Sequence, residues 1–307
     1  MITAVCLNPS FDKTVTVSGL KVGEVNRVQK IHQEIGGKGI NVGITLSALG
    51  GQAACLGFLA ENNADSFMKE LCAFNVEPHF VPVDGVIRVN TKLIDQANHT
   101  VTEINEQGPS ISTEEQTRFF QLLQQRTESD DLFVFSGRLP ANLPMSFYQQ
   151  CLHIVKGRRC ILDTSDESLL LALSEEPYLI KPNNAELEQM MGCSLPTRQD
   201  IITAAHQLMN KGAQNVLVSM GKKGAILVSQ KKNYFASPVE VPVISTVGAG
   251  DTMVAGFTMA ISKALDFAEA LRYGTAAAAA CIMSESTCLH TNDVFNQLLK
   301  KTDVVEL

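Results

Sequence analysis

The sequence predicts an α/β fold in which a mostly parallel sheet carries helices on both faces. Short apolar runs, such as residues 53–59 and 132–135, alternate with segments of helical periodicity, such as residues 41–49. This alternation indicates βαβ units, whose parallel strands are joined by crossover helices. With 307 residues, 45% of them hydrophobic, the chain can bury a large core. We therefore expect a single domain over residues 1–307.

The predicted elements follow one another in a regular order. Apart from the first strand at residues 4–7, the predicted strands are 53–59, 132–135, 160–162, 178–181 and 216–219. The predicted helices are 41–49, 64–74, 145–155, 167–173, 185–191 and 200–210, followed by three long ones at 252–262, 267–280 and 293–300. We find no internal repeat and no low-complexity linker.

Two stretches, residues 13–28 and 86–104, depart from this order. Both are β-rich and alternate polar with apolar residues, and no helical segment separates their strands. A small sheet of this kind cannot bury both of its faces alone. We therefore predict a β-sheet lid that closes over a ligand, packs against a second subunit, or does both.

Composition limits the classes of protein. The net charge of −7 and pI near 5.4 disfavour a nucleic-acid binder, which usually carries a basic surplus. The eight cysteines form no C-x-x-C pair, and several lie in apolar runs, which indicates buried free thiols in a reducing compartment. The sequence also shows no signal-peptide pattern at its start and no apolar run of about 18 residues, so we expect a cytoplasmic protein.

The segment from Ser245 to Thr252 combines two glycines, an aspartate and the start of an apolar helix. Gly248 and Gly250 allow a sharp turn. The free N–H groups at the helix start, where Ala249 lies, form an anion hole. A carboxylate at its mouth would repel an anion, so phosphate binding alone does not explain Asp251. The residue is explained if it removes a proton from an attacking hydroxyl. The alternative is that Asp251 only caps the helix.

A second glycine-rich segment, Gly36-Gly37-Lys38-Gly39-Ile40-Asn41, also opens a helix. It lacks the spacing of a Walker A loop, so that assignment fails. Lys38 supplies a movable cation, and Asn41 projects from the first helical turn. The alternative is a tight strand-to-helix turn with no ligand.

Asp12 follows the first strand, at the edge of the sheet where ligands bind in such folds. A carboxylate there can accept two hydrogen bonds from neighbouring sugar hydroxyls. The alternative is an ordinary turn aspartate after Asn8-Pro9.

In Lys181-Pro182-Asn183-Asn184-Ala185-Glu186, a strand ends and a helix begins. The spacing of Asn183 and Glu186 is that of a capping box. As a functional site, the segment would place Lys181 and Asn183 near ATP phosphates and Glu186 near a hydrated Mg²⁺.

Several weaker features complete the candidate site. Ser219 and Gly221 belong to a strand-to-turn segment that either contacts nucleotide or forms a plain hairpin. Arg27, Arg88 and Arg138 lie in or near the lid and the glycine-rich turns, and arginine suits phosphate because it binds bidentately. Each of the three could equally be a surface charge.

Taken together, these motifs resemble the ribokinase-like carbohydrate kinases, in their phosphofructokinase-B branch, over nearly the whole chain. The resemblance implies an αβα sandwich with a β lid, Mg²⁺ with ATP as the phosphoryl donor, and a homodimer joined through the lids. It assigns the substrate to Asp12, Gly36, Gly37, Lys38 and Asn41. It assigns catalysis to Asp251, Gly248, Ala249 and Gly250, and the nucleotide to Lys181, Asn183, Ser219, Gly221, Thr246, Gly248 and Gly250, with Glu186 reaching the metal through water.

Within this branch, the residues around Arg27, Arg88 and Thr102 resemble kinases of sugar phosphates. The resemblance implies that Arg88 and Lys38 bind the sugar phosphate and that Arg27 reaches across a dimer interface. Arg138 departs from the pattern, which often has serine there, so it adds a cation. We expect fructose 1-phosphate as acceptor, with tagatose 6-phosphate as the alternative. A 6-phosphofructokinase, a nucleoside kinase and a non-catalytic sugar-phosphate sensor rank below these.

Overall fold

The computed structural model describes the backbone of residues 1–307 and every side chain except that of residue 166. The strands are β1 (Ile2–Cys6), β2 (Ser10–Val17), β3 (Lys30–Gly36), β4 (Ala53–Ala60), β5 (Val76–Val83), β6 (Arg88–Asp95), β7 (Thr100–Asn105), β8 (Leu132–Ser136), β9 (Arg159–Asp163), β10 (Leu179–Ile180), β11 (Val216–Ser219), β12 (Ala225–Val228), β13 (Asn233–Ala236) and β14 (Val304–Glu306). The helices are α1 (Lys38–Ala48), α2 (Ala64–Ala73), α3 (Thr113–Arg126), α4 (Phe147–Ile154), α5 (Asp166–Ala172), α6 (Asn184–Met191), α7 (Arg198–Asn210), α8 (Ala249–Ser262), α9 (Phe267–Cys281) and α10 (Asp293–Leu299).

The central sheet has the strand order β14-β13-β12-β11-β10-β9-β8-β1-β4-β5. All neighbours from β5 to β11 pair in parallel, and β11 to β14 pair antiparallel. Every residue of β1, β4 and β8 is buried, as expected of parallel strands covered on both faces. The predicted mostly parallel sheet is confirmed.

Helices form the two outer layers of the sandwich. Helices α1, α8, α9 and α10 pack successively on one another, while α3, α4 and α5 form a second packed series. Helix α8 is buried along nearly its whole length and packs on both α1 and α9. Because α1 and α8 each begin at a glycine-rich turn, this packing fixes the two turns relative to each other.

The lid is a four-stranded sheet with the order β3-β2-β6-β7. The lid begins at Ser10 rather than at residue 13, and it includes a further strand, β3. Residues 18–29 form no strand and make a looping connection rich in turns. The lid exposes large apolar side chains at Val22, Val25, Ile31 and Ile104. Nothing within the described residues covers them.

Several elements differ from the sequence-based expectation. Strands β5, β12, β13 and β14 and helix α3 were not predicted. In β5 and α3 the apolar residues are mixed with polar or proline residues, and β12 is an apolar run of only four residues. Six of the cysteines are buried free thiols, but Cys72 and Cys193 are exposed. No helix among the described residues is both long and apolar enough to cross a membrane.

Candidate active site

The candidate residues meet where the parallel strands end and helices α1, α6 and α8 begin. Polypeptide turns follow the carboxyl ends of β1, β9, β10 and β11, and the lid strands β2 and β6 run alongside one another next to this edge. Crevices at this edge are the usual ligand sites of open α/β sheets.

The turn before α8 is shaped by close backbone contact. Gly248 caps the helix with a φ of 79°, and a Cβ there would overlap the backbone carbonyl of Thr287. Gly250 has open space except for the Nζ of Lys181, which would lie 3.4 Å from an added Cβ. The Ala249 N–H donates to the Thr246 carbonyl at a long 3.4 Å, and the N–H groups of Gly250 and Asp251 make no hydrogen bond among the described residues, as an anion hole requires.

Asp251 lies in the first turn of α8 and is 6% exposed. Its Oδ2 accepts a hydrogen bond of 2.8 Å from Nδ2 of Asn41, on the neighbouring helix α1. Burial raises the pKa of Asp251 to about 7, although Lys38 and the bond from Asn41 act in the opposite direction. A carboxyl group with a pKa near neutrality suits a general base.

A buried carboxylate that the sequence analysis missed, Asp163, holds two cations beside this base. Its Oδ1 lies 3.2 Å from Nζ of Lys181, and its Oδ2 lies 3.6 Å from Nζ of Lys38. Burial opposes ionisation of Asp163, but the two ammonium groups outweigh it and lower its pKa, while Asp163 in turn raises the pKa of Lys38. Asp163 ends β9, so the rule that singled out Asp12 could have found it.

The turn before α1 is also built on glycines. Gly37 has a φ of 105° and caps the helix, and a Cβ on Gly39 would come within 2.6 Å of the Val5 carbonyl. A Cβ on Gly36 would overlap the carboxylate of Asp12. The lack of side chains at the glycines of this turn thus leaves the space that strand β1 and Asp12 occupy.

Asp12 lies on the lid strand β2. Its Oδ1 accepts hydrogen bonds from Oγ of Ser10 at 2.8 Å and from Nδ2 of Asn90 at 2.9 Å. Burial raises the pKa of Asp12, and these two bonds oppose the shift. Its Oδ2 carries no hydrogen bond among the described residues, which leaves it available to a sugar hydroxyl.

The three arginines lie in different surroundings. Arg88 donates to the backbone carbonyls of Asn8 and Glu106 and to Oδ1 of Asn90, and burial lowers its pKa. Arg138 is exposed, and its charge also lowers the pKa of Arg88, so the two cations lie near each other. Arg27 is exposed on the 18–29 connection, away from any partner within the described residues.

The segment before α6 forms the capping box, in which Asn183 accepts from the Glu186 amide at 2.9 Å and Glu186 accepts from the Asn183 amide at 2.8 Å. Asn183 also forms an isolated bridge to Ser219, at the end of β11. Glu186 lies close enough to Lys38 to raise its pKa. The cap is therefore present, and it does not exclude a ligand role.

A cavity of about 590 Å³ opens beside the turn before α8. Thr246, Ala249 and Gly250 lie at one side of it, and Ser219 and Gly221 lie at the other. Its remaining lining is mainly apolar, including Val239, Val241, Val243, Met253, Ala278, Ala279 and Ile282. An apolar cavity that ends at an anion hole fits a nucleotide, with the base in the cavity and the phosphates at the turn. The turn at Gly221, with its φ of 55°, belongs to the hairpin between β11 and β12, so the predicted hairpin and a nucleotide contact are compatible.

The chain resembles known proteins over its whole length. Residues 6–293 match the pfkB family carbohydrate kinases. The chain belongs to this family. It is 37% identical to a 1-phosphofructokinase of Bacillus subtilis, over 100% of both chains, and 32% identical to the 1-phosphofructokinase of Escherichia coli K12, over 99% of this chain and 97% of that one.

Solved structures of pfkB-type kinases agree with the fold. Phosphofructokinase-2 from Escherichia coli, in complex with substrates and products, has a TM-score of 0.90 at 28% identity and covers 98% of each chain. A ribokinase from Thermotoga maritima, at 19% identity, has a TM-score of 0.81 over 98% of this chain and 99% of that one. The predicted ribokinase-like fold is confirmed, and the chain is a sugar phosphotransferase.

Proposed function

We propose that this pfkB-family kinase transfers the γ-phosphoryl group of ATP to the free primary hydroxyl of fructose 1-phosphate, giving fructose 1,6-bisphosphate and ADP. The observation that carries the proposal is the buried Asp251 at the mouth of an open helix N-terminus. The full-length relatives named 1-phosphofructokinase support the choice of acceptor. Tagatose 6-phosphate stays the alternative.

The reaction needs one base and one anion hole. The acceptor oxygen forms a bond to the γ-phosphorus, the bond from that phosphorus to the β,γ-bridging oxygen breaks, and the hydroxyl proton passes to Asp251. The amides of Ala249 and Gly250 and the ammonium of Lys181 stabilise the charge that develops on the phosphoryl oxygens. The pKa of about 7 means that Asp251 is largely ionised only above neutral pH in the free protein.

The acceptor fits between the lid and the first glycine turn. Asp12 presents its free Oδ2 to the sugar hydroxyls, and Gly36 leaves room for that carboxylate. Arg88, assisted by Lys38 and Arg138, supplies positive charge for the phosphate that the acceptor already carries. An unphosphorylated sugar would offer this positive charge no anion to bind.

The residues around the phosphate end also fit a hydrated Mg²⁺. Oδ2 of Asp163 is buried without a hydrogen-bond partner, and Glu186 lies close enough to Lys38 to raise the pKa of that lysine. No cluster of three or more His, Cys, Asp or Glu side chains among the described residues could enclose a metal directly. Glu186 and Asp163 would therefore hold the ion through its water molecules, and bound Mg²⁺ would neutralise charge on the β- and γ-phosphates.

The lid offers a surface for a second copy of the chain. Val22 and Val25 are 93% and 91% exposed, and Ile31 and Ile104 lie on the lid strands with more than half of their surface exposed. Pairing of two lids would bury this apolar surface. We expect a dimer by sedimentation at micromolar concentration, and a monomer under these conditions would contradict this assembly.

An acceptor screen tests the proposed function. ATP consumption is measured with fructose 1-phosphate, fructose 6-phosphate, tagatose 6-phosphate, fructose and adenosine, and kcat/KM is compared. Fructose 1-phosphate should give the highest value. A higher value for tagatose 6-phosphate would replace the acceptor, and equal turnover of fructose would remove the phosphate-binding role of Arg88 and Lys38.

A further inference from the structure

Glu34, near the end of the lid strand β3, is a buried carboxylate with an unusual set of donors. It is 7% exposed, and apart from His32, whose Nε2 lies 3.4 Å from Oε2, its partners come from the segment that follows α9. Oε1 accepts from the backbone N–H of Thr287 at 2.9 Å and lies 3.1 Å from the Thr287 hydroxyl, and Oε2 accepts from Oγ of Ser286 at 2.9 Å. The mechanism described above does not use this carboxylate.

The Thr287 hydroxyl connects Glu34 to the base. Its Oγ1 lies 3.2 Å from Oδ1 of Asn41, whose Nδ2 donates to Asp251. A hydroxyl has one proton, so Thr287 can donate to Glu34 or to Asn41 but not fully to both. The two acceptors compete for it.

The competition gives the network two settings. In one, Thr287 donates to Asn41, and the amide of Asn41 donates to an ionised Asp251. In the other, Thr287 donates to Glu34, the amide of Asn41 is turned over so that it donates to Thr287, and its oxygen accepts from a protonated Asp251. The oxygen and nitrogen of an amide have nearly the same shape, so both settings fit one backbone.

We propose that Glu34 is a positioning residue for catalysis, because its demand for the Thr287 proton favours the orientation of Asn41 that receives a protonated Asp251. This rests on the proposed function, in which Asp251 takes the acceptor's proton. A carboxylate oxygen is a stronger acceptor than an amide oxygen, so Glu34 competes well for the Thr287 hydroxyl. When Asp251 takes up the proton, the Thr287 hydroxyl is therefore free to donate to Glu34. The stronger hydrogen bond that results favours the proton transfer.

The position of Glu34 connects this network to the acceptor site. Glu34 is the direct cross-strand partner of Asp12 in the β2–β3 hairpin, and its charge raises the pKa of Asp12. The Thr287 carbonyl lies against Gly248, so the same residue also supports the anion-hole turn. The lid therefore carries both Asp12, the carboxylate proposed to bind the sugar, and Glu34, the group proposed to orient the base.

Other charged groups surround the two ends of the network. Those near Asp251 are Lys38, Lys181 and Asp163, and those near Glu34 are His32, Asp12 and the thiols Cys281 and Cys288. Because threonine carries no charge, substitutions of Thr287 by uncharged residues change the relay without changing any charge.

The test uses substitutions that alter single hydrogen bonds. In Glu34→Gln the amide oxygen still accepts from the Thr287 N–H, but it accepts the Thr287 hydroxyl more weakly than a carboxylate does, so Thr287 shifts towards Asn41 and the amide of Asn41 favours ionised Asp251. We expect kcat to fall about 10-fold or more, since one charge-assisted bond is lost. The acid limb of kcat/KM against pH should move to lower pH, while KM for ATP stays unchanged. Thr287→Val should also lower kcat about 10-fold, and Thr287→Ser, which restores the hydroxyl, should recover most of it.

The controls separate this role from simple lid docking. Lys30 lies on β3, like Glu34, and forms an exposed ion pair with Glu285 in the segment that follows α9. Lys30→Met removes this ion pair and should leave kcat within about 2-fold. The double variant Glu34→Gln with Thr287→Val should lose little more than either single variant. Wild-type kcat and an unmoved acid limb in Glu34→Gln, equal losses in Thr287→Val and Thr287→Ser, or additive losses would each overturn the proposal. If Asp251→Asn remained active, the proposed function itself would fail, whatever the behaviour of Glu34.

Discussion

The two glycine-rich turns begin helices at the same edge of the sheet, but their glycines serve different purposes. In the turn before α1, Gly36 and Gly39 make room for parts of the protein, namely the Asp12 carboxylate and the carbonyl of Val5. In the turn before α8, Gly248 has the same kind of role against Thr287, but Gly250 faces open space beside Lys181. Of these four glycines, Gly250 is thus the one whose missing side chain leaves open space.

The difference assigns separate tasks to the two turns. In the proposed reaction, the first positions Lys38 and Asn41 and admits Asp12, so it would prepare the acceptor side. The second would offer backbone amides and the base, and so prepare the phosphoryl side. The bond from Asn41 to Asp251 joins the two at 2.8 Å. Glycine-rich segments that look alike in sequence can thus build opposite halves of one site.

The largest expected effects come from single substitutions of the two glycines in the turn before α8. Gly248→Ala forces a Cβ into the Thr287 carbonyl at a φ of 79°, so we expect a loss of at least about 3 kcal/mol in the free energy of unfolding and more than about 10²-fold in kcat. Gly250→Ala should change the free energy of unfolding by less than about 1 kcal/mol and lower kcat/KM for ATP. Denaturant unfolding and steady-state kinetics check both, and equal destabilisation by the two variants would contradict the comparison.

The next largest effect concerns the acceptor side. We expect Arg88→Ala to raise KM for the sugar phosphate roughly 10- to 150-fold and to change KM for ATP little, because a charge-assisted contact is worth about 1.5–3 kcal/mol. Arg138→Ala, at an exposed position, should have a smaller effect on the same constant. A matching rise in both Michaelis constants for Arg88→Ala would place this residue outside the acceptor site.

The sequence predicted the parallel sheet, the lid and both glycine turns, because periodicity and helix-start signals are local. It also singled out Asp12, Lys38 and Asp251, which the structure brings to one edge of the sheet. It missed Asp163 and Glu34. Asp163 has the same local signal as Asp12, a place at the end of a strand, but its pairing with Lys181 and Lys38 depends on contacts far away in sequence. Glu34 has no local signal, because its role depends on its contact with Thr287.

A smaller effect appears in stability against pH. The pKa of Asp251 is about 7 in the folded protein and 3.8 without its surroundings, so the folded state holds the proton more tightly. Its contribution to stability is complete below pH 3.8 and is lost as the pH rises through about 7. Asp251→Asn does not titrate, so its free energy of unfolding relative to wild type should increase between pH 4 and pH 8, by roughly 1–4 kcal/mol. An unchanged or opposite difference would mean that Asp251 is not held in a desolvated state.

The most direct test of the central claim is the kinetics of Asp251→Asn, with ATP affinity measured separately. General-base catalysis is typically worth about 10²–10⁴-fold. Asparagine keeps the size of the side chain but cannot accept a proton, and it removes a negative charge from the anion hole. We predict that kcat falls at least about 10²-fold, while the sugar phosphate binds as in wild type and ATP binds as well or better. If asparagine retained a tenth or more of wild-type kcat with chemistry rate-limiting, Asp251 would not be the catalytic base.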